Sequence, residues 1–213
     1  MLKSILFVNR KLIIDLDGTL IDDSNRHWSI FKDLAKIEIE EKRYWDYRRS
    51  GLSNRELFKH LTGVDRFRIQ EFKTLVEKRD YLKLDKLIIT HQKLSQLSKF
   101  FELILCSVRS QEENFYWQLE RLGIGHFFST FVIIPHSELI RNRNYYKAPA
   151  LLERFSFMSG DFIIGDTEVD IYTGKQLGIK TVAVLSGIRT RILLQTFNPD
   201  FIIDNINSFE LID

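Results

Sequence analysis

The chain has 213 residues, 44% hydrophobic and 28% charged, and a formal net charge of +2. That length can bury a real core, in one large domain or two unequal ones, and the composition is globular rather than disordered. Charges of both signs are mixed throughout, which gives no electrostatic case for nucleic acid as a partner, and the single cysteine, Cys106, excludes an internal disulfide and fits a reducing compartment.

The first residues, Met1-Leu2-Lys3-Ser4-Ile5-Leu6-Phe7-Val8, carry a short apolar run without the features of a cleaved signal. No apolar segment approaches the roughly 20 residues that span a bilayer. No membrane association and a cytoplasmic location are therefore expected. Leu12-Ile13-Ile14 follows as a short, continuous, β-rich run, which reads as a buried parallel strand.

Residues 20 to 88 show helical periodicity and no convincing strand, so an all-helical insertion is expected there. Ser53 and Glu56 form a capping box ahead of Leu57, Phe58 and Leu61, with Gly63 as a stop. Ile69, Phe72, Leu75, Val76 and Arg79 continue a longer helix at spacings of three and four.

Beyond residue 100, strands and helices alternate. Leu103-Ile104-Leu105-Cys106 reads as a strand, and Ser110 with Glu113 as a capping box opening a helix that stops at Gly123. Phe131-Val132-Ile133-Ile134 is a further strand candidate, and Lys147-Ala148-Pro149 a helix start, with proline suited to the first turn. Phe162-Ile163-Ile164 is a strand, a helix spans Thr167-Glu168 to Gly178, and Thr181-Val182-Ala183-Val184 and Phe201-Ile202-Ile203 complete the set. This is the pattern of a parallel sheet covered on both faces.

In such a sheet ligands sit at the carboxyl ends of the strands. The first strand ends in Asp15-Leu16-Asp17-Gly18-Thr19, the second in Ser107-Val108-Arg109, and another in Gly165-Asp166-Thr167-Glu168-Val169-Asp170. Asp15, Ser107 and Asp166 then converge at one edge, with Lys147 entering from a helix start. Converging carboxylates repel unless a cation sits between them, and aspartate oxygens suit Mg²⁺. Asp15, Asp166 and the Asp17 backbone carbonyl would make that site, with Asp170 orienting Asp166 or the metal's waters. Asp15 can attack phosphorus as a carboxylate nucleophile, and Asp17 can protonate the leaving alkoxide and then activate water. Gly18 permits a sharp turn beside the phosphate, Thr19 adds a hydroxyl donor, and Ser107 and Lys147 offset the charge of the transferring group.

Asp15-Leu16-Asp17-Gly18-Thr19 resembles the first signature of the haloacid dehalogenase-like superfamily, and Ser107, Lys147 and Gly165-Asp166 with Asp170 look like its second, third and fourth motifs. The resemblance runs from about residue 11 to the C-terminus. It implies a Rossmann-like three-layer α/β core, residues 1–20 and 89–213, with a helical cap domain inserted after the first strand, residues 21–88. This placement is similar to the phosphoglycolate phosphatase and β-phosphoglucomutase branch. The dehalogenases resemble the chain less, because they lack the aspartate carried here by Asp17, and a halide needs no general acid. The second motif departs from many relatives in carrying Arg109 where they have a small polar residue, and Lys147 is followed by Ala148 before Pro149.

The expected activity is Mg²⁺-dependent hydrolysis of a small phosphorylated metabolite through an aspartyl-phosphate. A phosphotransferase such as a sugar-phosphate mutase, or a non-catalytic regulatory protein on the same fold, remain alternatives. Specificity is expected from the insertion, where Arg26, His27, Trp28, Arg48, Arg49, Ser53 and Asn54 are candidates; Arg48 and Arg49 lie beside a glycine-serine turn and could hold a second anionic group. Arg109 could reach the phosphate or serve a structural ion pair. The sequence does not separate monomer from homodimer.

Overall fold

A central strand flanked on both sides sets the architecture. The computed structural model describes residues 10–136 and 147–210, and the reading of residues 1–8 lies outside them. Strand β1 (Arg10–Ile14) pairs in parallel with β4 (Phe101–Val108) and with β6 (Phe162–Gly165). Outside these lie β5 (Thr130–Ile134), β7 (Lys180–Val184) and β8 (Phe201–Ile203), giving one six-stranded parallel sheet in the order β5-β4-β1-β6-β7-β8.

The continuous apolar runs make sense on this sheet because side chains alternate between two buried faces. Leu12 and Ile14 join one core cluster with Leu103, Leu105, Phe162 and Ile164, while Ile13 joins another with Ile104, Cys106 and Ile163. Ile14, the last residue of β1, lies opposite Leu105 on one side and Ile164 on the other, so β6 runs one residue and β4 three residues past it, and the three carboxyl ends stand side by side at one edge of the sheet. Helices α6 (His91–Leu97), α7 (Glu112–Leu122), α8 (Ala148–Leu152), α9 (Glu168–Leu177) and α10 (Arg191–Thr196) lie between these strands in the chain. This is the expected α/β, Rossmann-like core.

Between Asp22 and Lys86 come five helices, α1 (Ser24–Ala35), α2 (Glu41–Arg49), α3 (Asn54–Thr62), α4 (Ile69–Leu75) and α5 (Arg79–Leu82). They enclose a third cluster built on Ile30, Phe31, Tyr44, Leu57, Phe67 and Phe72. Phe31 stacks on Phe67 with centroids 5.4 Å apart, and the Tyr44 hydroxyl donates to Asn54 Oδ1 at 2.8 Å. The Ser53–Glu56 capping box forms as expected, and Gly63 ends α3 at a positive φ of 74°.

Several local expectations need correction. The stretch read as strand-free holds β2 (Ile21–Asp22) and β3 (Lys86–Leu87), an antiparallel pair where the chain enters and leaves the helical layer. Two residues are too few to show a period. The helix expected to run from Ile69 to Arg79 breaks after Leu75, and α5 begins anew at Arg79. Between them Glu77 is 1% exposed. Ser110 does not cap α7: Ser110 N and Gln111 N donate instead to the Glu77 carboxylate, at 2.9 and 2.7 Å. A carboxylate from another element has taken the place of the local cap. The short helices α6 and α10, capped by the Thr90 and Thr190 side chains, were not anticipated.

Candidate active site

The neighbouring strand ends place the polar residues. Asp15 follows β1 directly, and its N–H donates to the Ile164 carbonyl at 3.0 Å, holding it against β6. Ser107 lies near the end of β4, fully buried, and its hydroxyl has no hydrogen-bond partner among the described residues. Asp166 follows β6, 4% exposed, with Oδ2 accepting the Ile188 N–H at 2.8 Å. Together with Lys147 these side chains line a cavity of about 260 Å³, roofed by Arg26 and His27 of α1, Trp45 of α2 and Val76.

Lys147 is the buried cation at the centre. Its Nζ donates to Asp15 Oδ1, to Asp170 Oδ1 at 2.9 Å and to the Cys106 carbonyl at 3.0 Å. Burial alone would depress the Lys147 ammonium, but Asp15 and Asp170 outweigh it and hold its pKa well above the ordinary lysine value. Asp170 spends its other oxygen on its own helix start, accepting from Thr167 N at 3.3 Å and Thr167 Oγ1 at 2.9 Å. Its contacts are therefore with Lys147 and Thr167.

The carboxylates here are short of positive charge. Burial pushes Asp15 up to about 7, with Lys147 pulling down and Asp170 pushing up again. Burial, then Asp15 and Asp170, raise Asp166 well above the usual carboxylate range. Oxygens of Asp15, Asp166 and Asp170 lie within 4.8 Å of one another. A hard divalent cation fits this all-oxygen set, and Asp15 and Asp166 are the members with oxygen to offer. Gly18 and Gly187 make room for it. Gly18 has φ +71°, and a Cβ at either glycine would collide with the Asp166 carboxylate. Thr19 is buried behind the turn, with its hydroxyl also without a hydrogen-bond partner among the described residues.

Asp17 is held differently. Arg109 grips it with both ends of its fork, Nη2 to Oδ1 at 2.7 Å and Nη1 to Oδ2, and Arg26 Nη2 donates to Oδ1 from above. Burial would raise Asp17, but the Arg109 and Arg26 guanidinium groups win and hold it far below the usual carboxylate range. Arg26 is itself 1% exposed. Its Nη1 donates to the Val76 carbonyl at 2.9 Å, and its Nε lies 3.2 Å from Asp85 Oδ1. Asp85 in turn accepts from Gln118 Nε2 on α7, and burial lifts its carboxyl to about 8 against the pull of Arg26.

The sequence-derived residues thus divide. Asp15, Asp17, Ser107, Arg109, Lys147 and Asp166 all line one cavity, with Asp170 touching Lys147 behind it. Arg48 and Arg49 do not line it. Arg48 bonds the Leu52 carbonyl at the end of α2, and Arg49 Nη2 lies 3.4 Å from the Leu185 carbonyl beside a neighbouring cavity that shares Asp23 and Trp45 with the first. Asp85, Glu77 and Gln118 carry no signal in the sequence reading, which offers Arg26 as a substrate contact rather than a partner of Asp17. A signal for Arg26 existed: it falls at four-residue spacing on the face of α1 that carries Ile30 and Leu34, where a charge demands a buried partner.

A family model described as haloacid dehalogenase-like hydrolase matches residues 12–184. "Pyrophosphatase PpaX" from Oceanobacillus iheyensis is 24% identical over 217 residues, covering 92% of this chain and 93% of that one. Among solved structures, the haloacid dehalogenase-like family protein SP0104 from Streptococcus pneumoniae shares 22% identity with a TM-score of 0.67, covering 92% of this chain and 94% of its own. YfnB from Bacillus subtilis, solved with magnesium bound, shares 17% with a TM-score of 0.64 and covers 93% and 96%. At these identities the structural likeness is one of fold.

Proposed function

The chain belongs to the haloacid dehalogenase-like hydrolases, and from that premise we propose that it hydrolyses a small phosphate ester, with Asp15 as a covalent nucleophile. The observation that carries the reading is the placement of Asp15, Ser107, Lys147 and Asp166 around one cavity, three of them at the neighbouring carboxyl ends of β1, β4 and β6 and Lys147 at the start of α8. An Asp15 oxygen attacks phosphorus in line, the P–O bond to the leaving group breaks, and the leaving oxygen takes a proton. Water then adds to phosphorus, the Asp15–phosphorus bond breaks, and inorganic phosphate leaves with Asp15 restored. Lys147 and Ser107 stand where the equatorial phosphoryl oxygens need donors. Mg²⁺ is the cation whose ligand chemistry suits Asp15, Asp166 and the Asp17 carbonyl. Bound there, it would neutralise the carboxylates and part of the phosphate charge.

Asp17 is the group that serves the leaving oxygen and then the water. A carboxylate gripped by two guanidinium forks carries no proton to give, so the acid step requires one arginine to turn from Asp17 to the substrate's anion. Arg109 has that freedom: beyond Asp17 it touches its neighbour's Val108 carbonyl, and its Nε has no hydrogen-bond partner among the described residues. The helical layer serves as the cap, excluding bulk water above the site.

A second reading follows from the same grip. A phosphate leaving group departs as a stabilised anion and needs less protonation, so inorganic pyrophosphate suits an Asp17 held as carboxylate, and the curated relatives carry the name pyrophosphatase. One experiment covers both. Phosphate release is measured from a panel of small phosphomonoesters and from pyrophosphate, with and without Mg²⁺, beside Asp15→Asn. Metal-dependent release is expected, with Asp15→Asn lowering it at least about a thousandfold, the scale on which loss of a nucleophile acts. Release that survives in Asp15→Asn would sink the covalent mechanism, and the better of the two substrate classes decides between the readings.

A further inference from the structure

We propose that Arg26 is a positioning residue, reaching from the helical layer to fix the direction of the Asp17 carboxylate, and that Asp85 and Gln118 fix Arg26 in turn. The inference rests on the reading of Asp17 as the group that serves the leaving oxygen. Nothing in the general reaction requires a guanidinium from the helical layer at that place.

The geometry separates the two arginines on Asp17. Arg26 Nη2 donates to Asp17 Oδ1 and, at 3.5 Å, to Asp23 Oδ2, and Nη1 donates to the Val76 carbonyl; its Nε lies 3.2 Å from Asp85 Oδ1 as an ion pair without hydrogen-bond geometry, so Arg26 is held by three carboxylates and a carbonyl. With its side chain 1% exposed, it has no direction left in which to turn toward a ligand. Asp85, also buried, takes its second contact from Gln118, which is 0% exposed on α7. The chain of contacts runs from the sheet's own helix through Asp85 to Arg26 and ends on Asp17. Arg109 is the opposite case: among the described residues its hydrogen bonds go to Asp17 and to its neighbour's carbonyl.

Such a brace has a purpose because Asp17 lies past the end of β1 on a turn, with its side chain 24% exposed, the most open carboxylate in its ion-pair group. An acid–base group misplaced by about 1 Å can lose about a hundredfold in rate. Bridging Asp17 to Asp85 needs a planar fork. A lysine at position 26 keeps the charge but presents one nitrogen, so it can satisfy Asp17 or Asp85 and not orient both.

The test is single-turnover release of the leaving alcohol or phenol, which reads the first step alone, by wild type and Arg26→Lys from two esters, a small alkyl phosphate and an activated aryl phosphate whose leaving group departs without a proton. Release from the alkyl ester should slow about a hundredfold with its half-saturating concentration, the KM of that step, changed less than about twofold, while release from the aryl ester stays near wild type. A merely structural role would lower both esters together. Should Arg26→Lys fail to fold, Arg26→Gln/Asp85→Asn removes both buried charges at once and should show the same split. Equal losses on the two esters, or a change confined to KM, would overturn the brace while leaving the phosphohydrolase reading intact. A wild-type chain that turns over neither ester overturns the reading of Asp15 and Asp17, and the brace with it.

Discussion

At the scale of single residues, the site depends on groups that carry no chemistry of their own. Gly165 ends β6, and a Cβ there would run into the Asp170 side chain, the group that steadies Lys147. Gly165→Ala is therefore expected to cost about 1–3 kcal/mol in stability, the usual scale of overpacking. It should also reduce phosphate release, because Lys147 can no longer be shared between Asp170 and Asp15. Denaturant melts read the first effect and the release assay the second. A variant as stable and active as wild type would show that Asp170 can move aside freely. Arg109 gives the complementary lesson: read from sequence as a departure from the family pattern, it proves to be one of two forks that set the state of Asp17.

At the scale of elements, one contact joins the helical layer to the sheet at its most sensitive loop. Glu77, in the break between α4 and α5, accepts the amides of Ser110 and Gln111 just before α7 and lies 3.3 Å from His136 Nε2. Burial alone would raise its pKa, but His136 and the two amides outweigh burial and hold it below the ordinary glutamate value. A lowered folded-state pKa means that the stabilisation is complete above the unfolded value and is lost as pH falls through the folded one. Glu77→Gln should accordingly cost about 1.5–3 kcal/mol at neutral pH, the worth of hydrogen bonds to a charged acceptor. The gap between variant and wild type should close as pH falls below the ordinary glutamate range. A gap that stays constant with pH would mean that the glutamate's charge contributes nothing.

At the scale of the whole molecule, the apolar packing is divided. Ile30, Phe31, Tyr44, Leu57 and Phe72 form a cluster separate from those on the faces of the sheet. Buried polar contacts through Arg26 and Glu77 cross between layer and sheet. Phe31→Ala removes the ring between Tyr44 and Phe67 and should cost about 3–5 kcal/mol. Hydrogen exchange should locate that loss: amides of α1 to α4 exchange faster, while Leu103–Cys106 in β4 keeps its protection. Equal loss in both would show a single cooperative unit.

Much of this architecture could be read before folding. Short β-rich apolar runs such as Ile163-Ile164 specify a strand buried on both faces, and Asp-x-Asp-Gly-Thr after the first of them marks a strand end with room for chemistry, because both signals depend only on near neighbours in the chain. Ser53 with Glu56 and Gly63 fixed both ends of α3 for the same reason. What only the tertiary structure decided is which charges meet. Arg26 and Asp85 are separated by 59 positions and Arg109 and Asp17 by 92, and the helix that Ser110 was expected to cap is closed by Glu77, 33 positions away. An ion pair in a dry interior is set by geometry and burial rather than by spacing along the chain, so the state of Asp17 became legible only when the helices closed over the sheet.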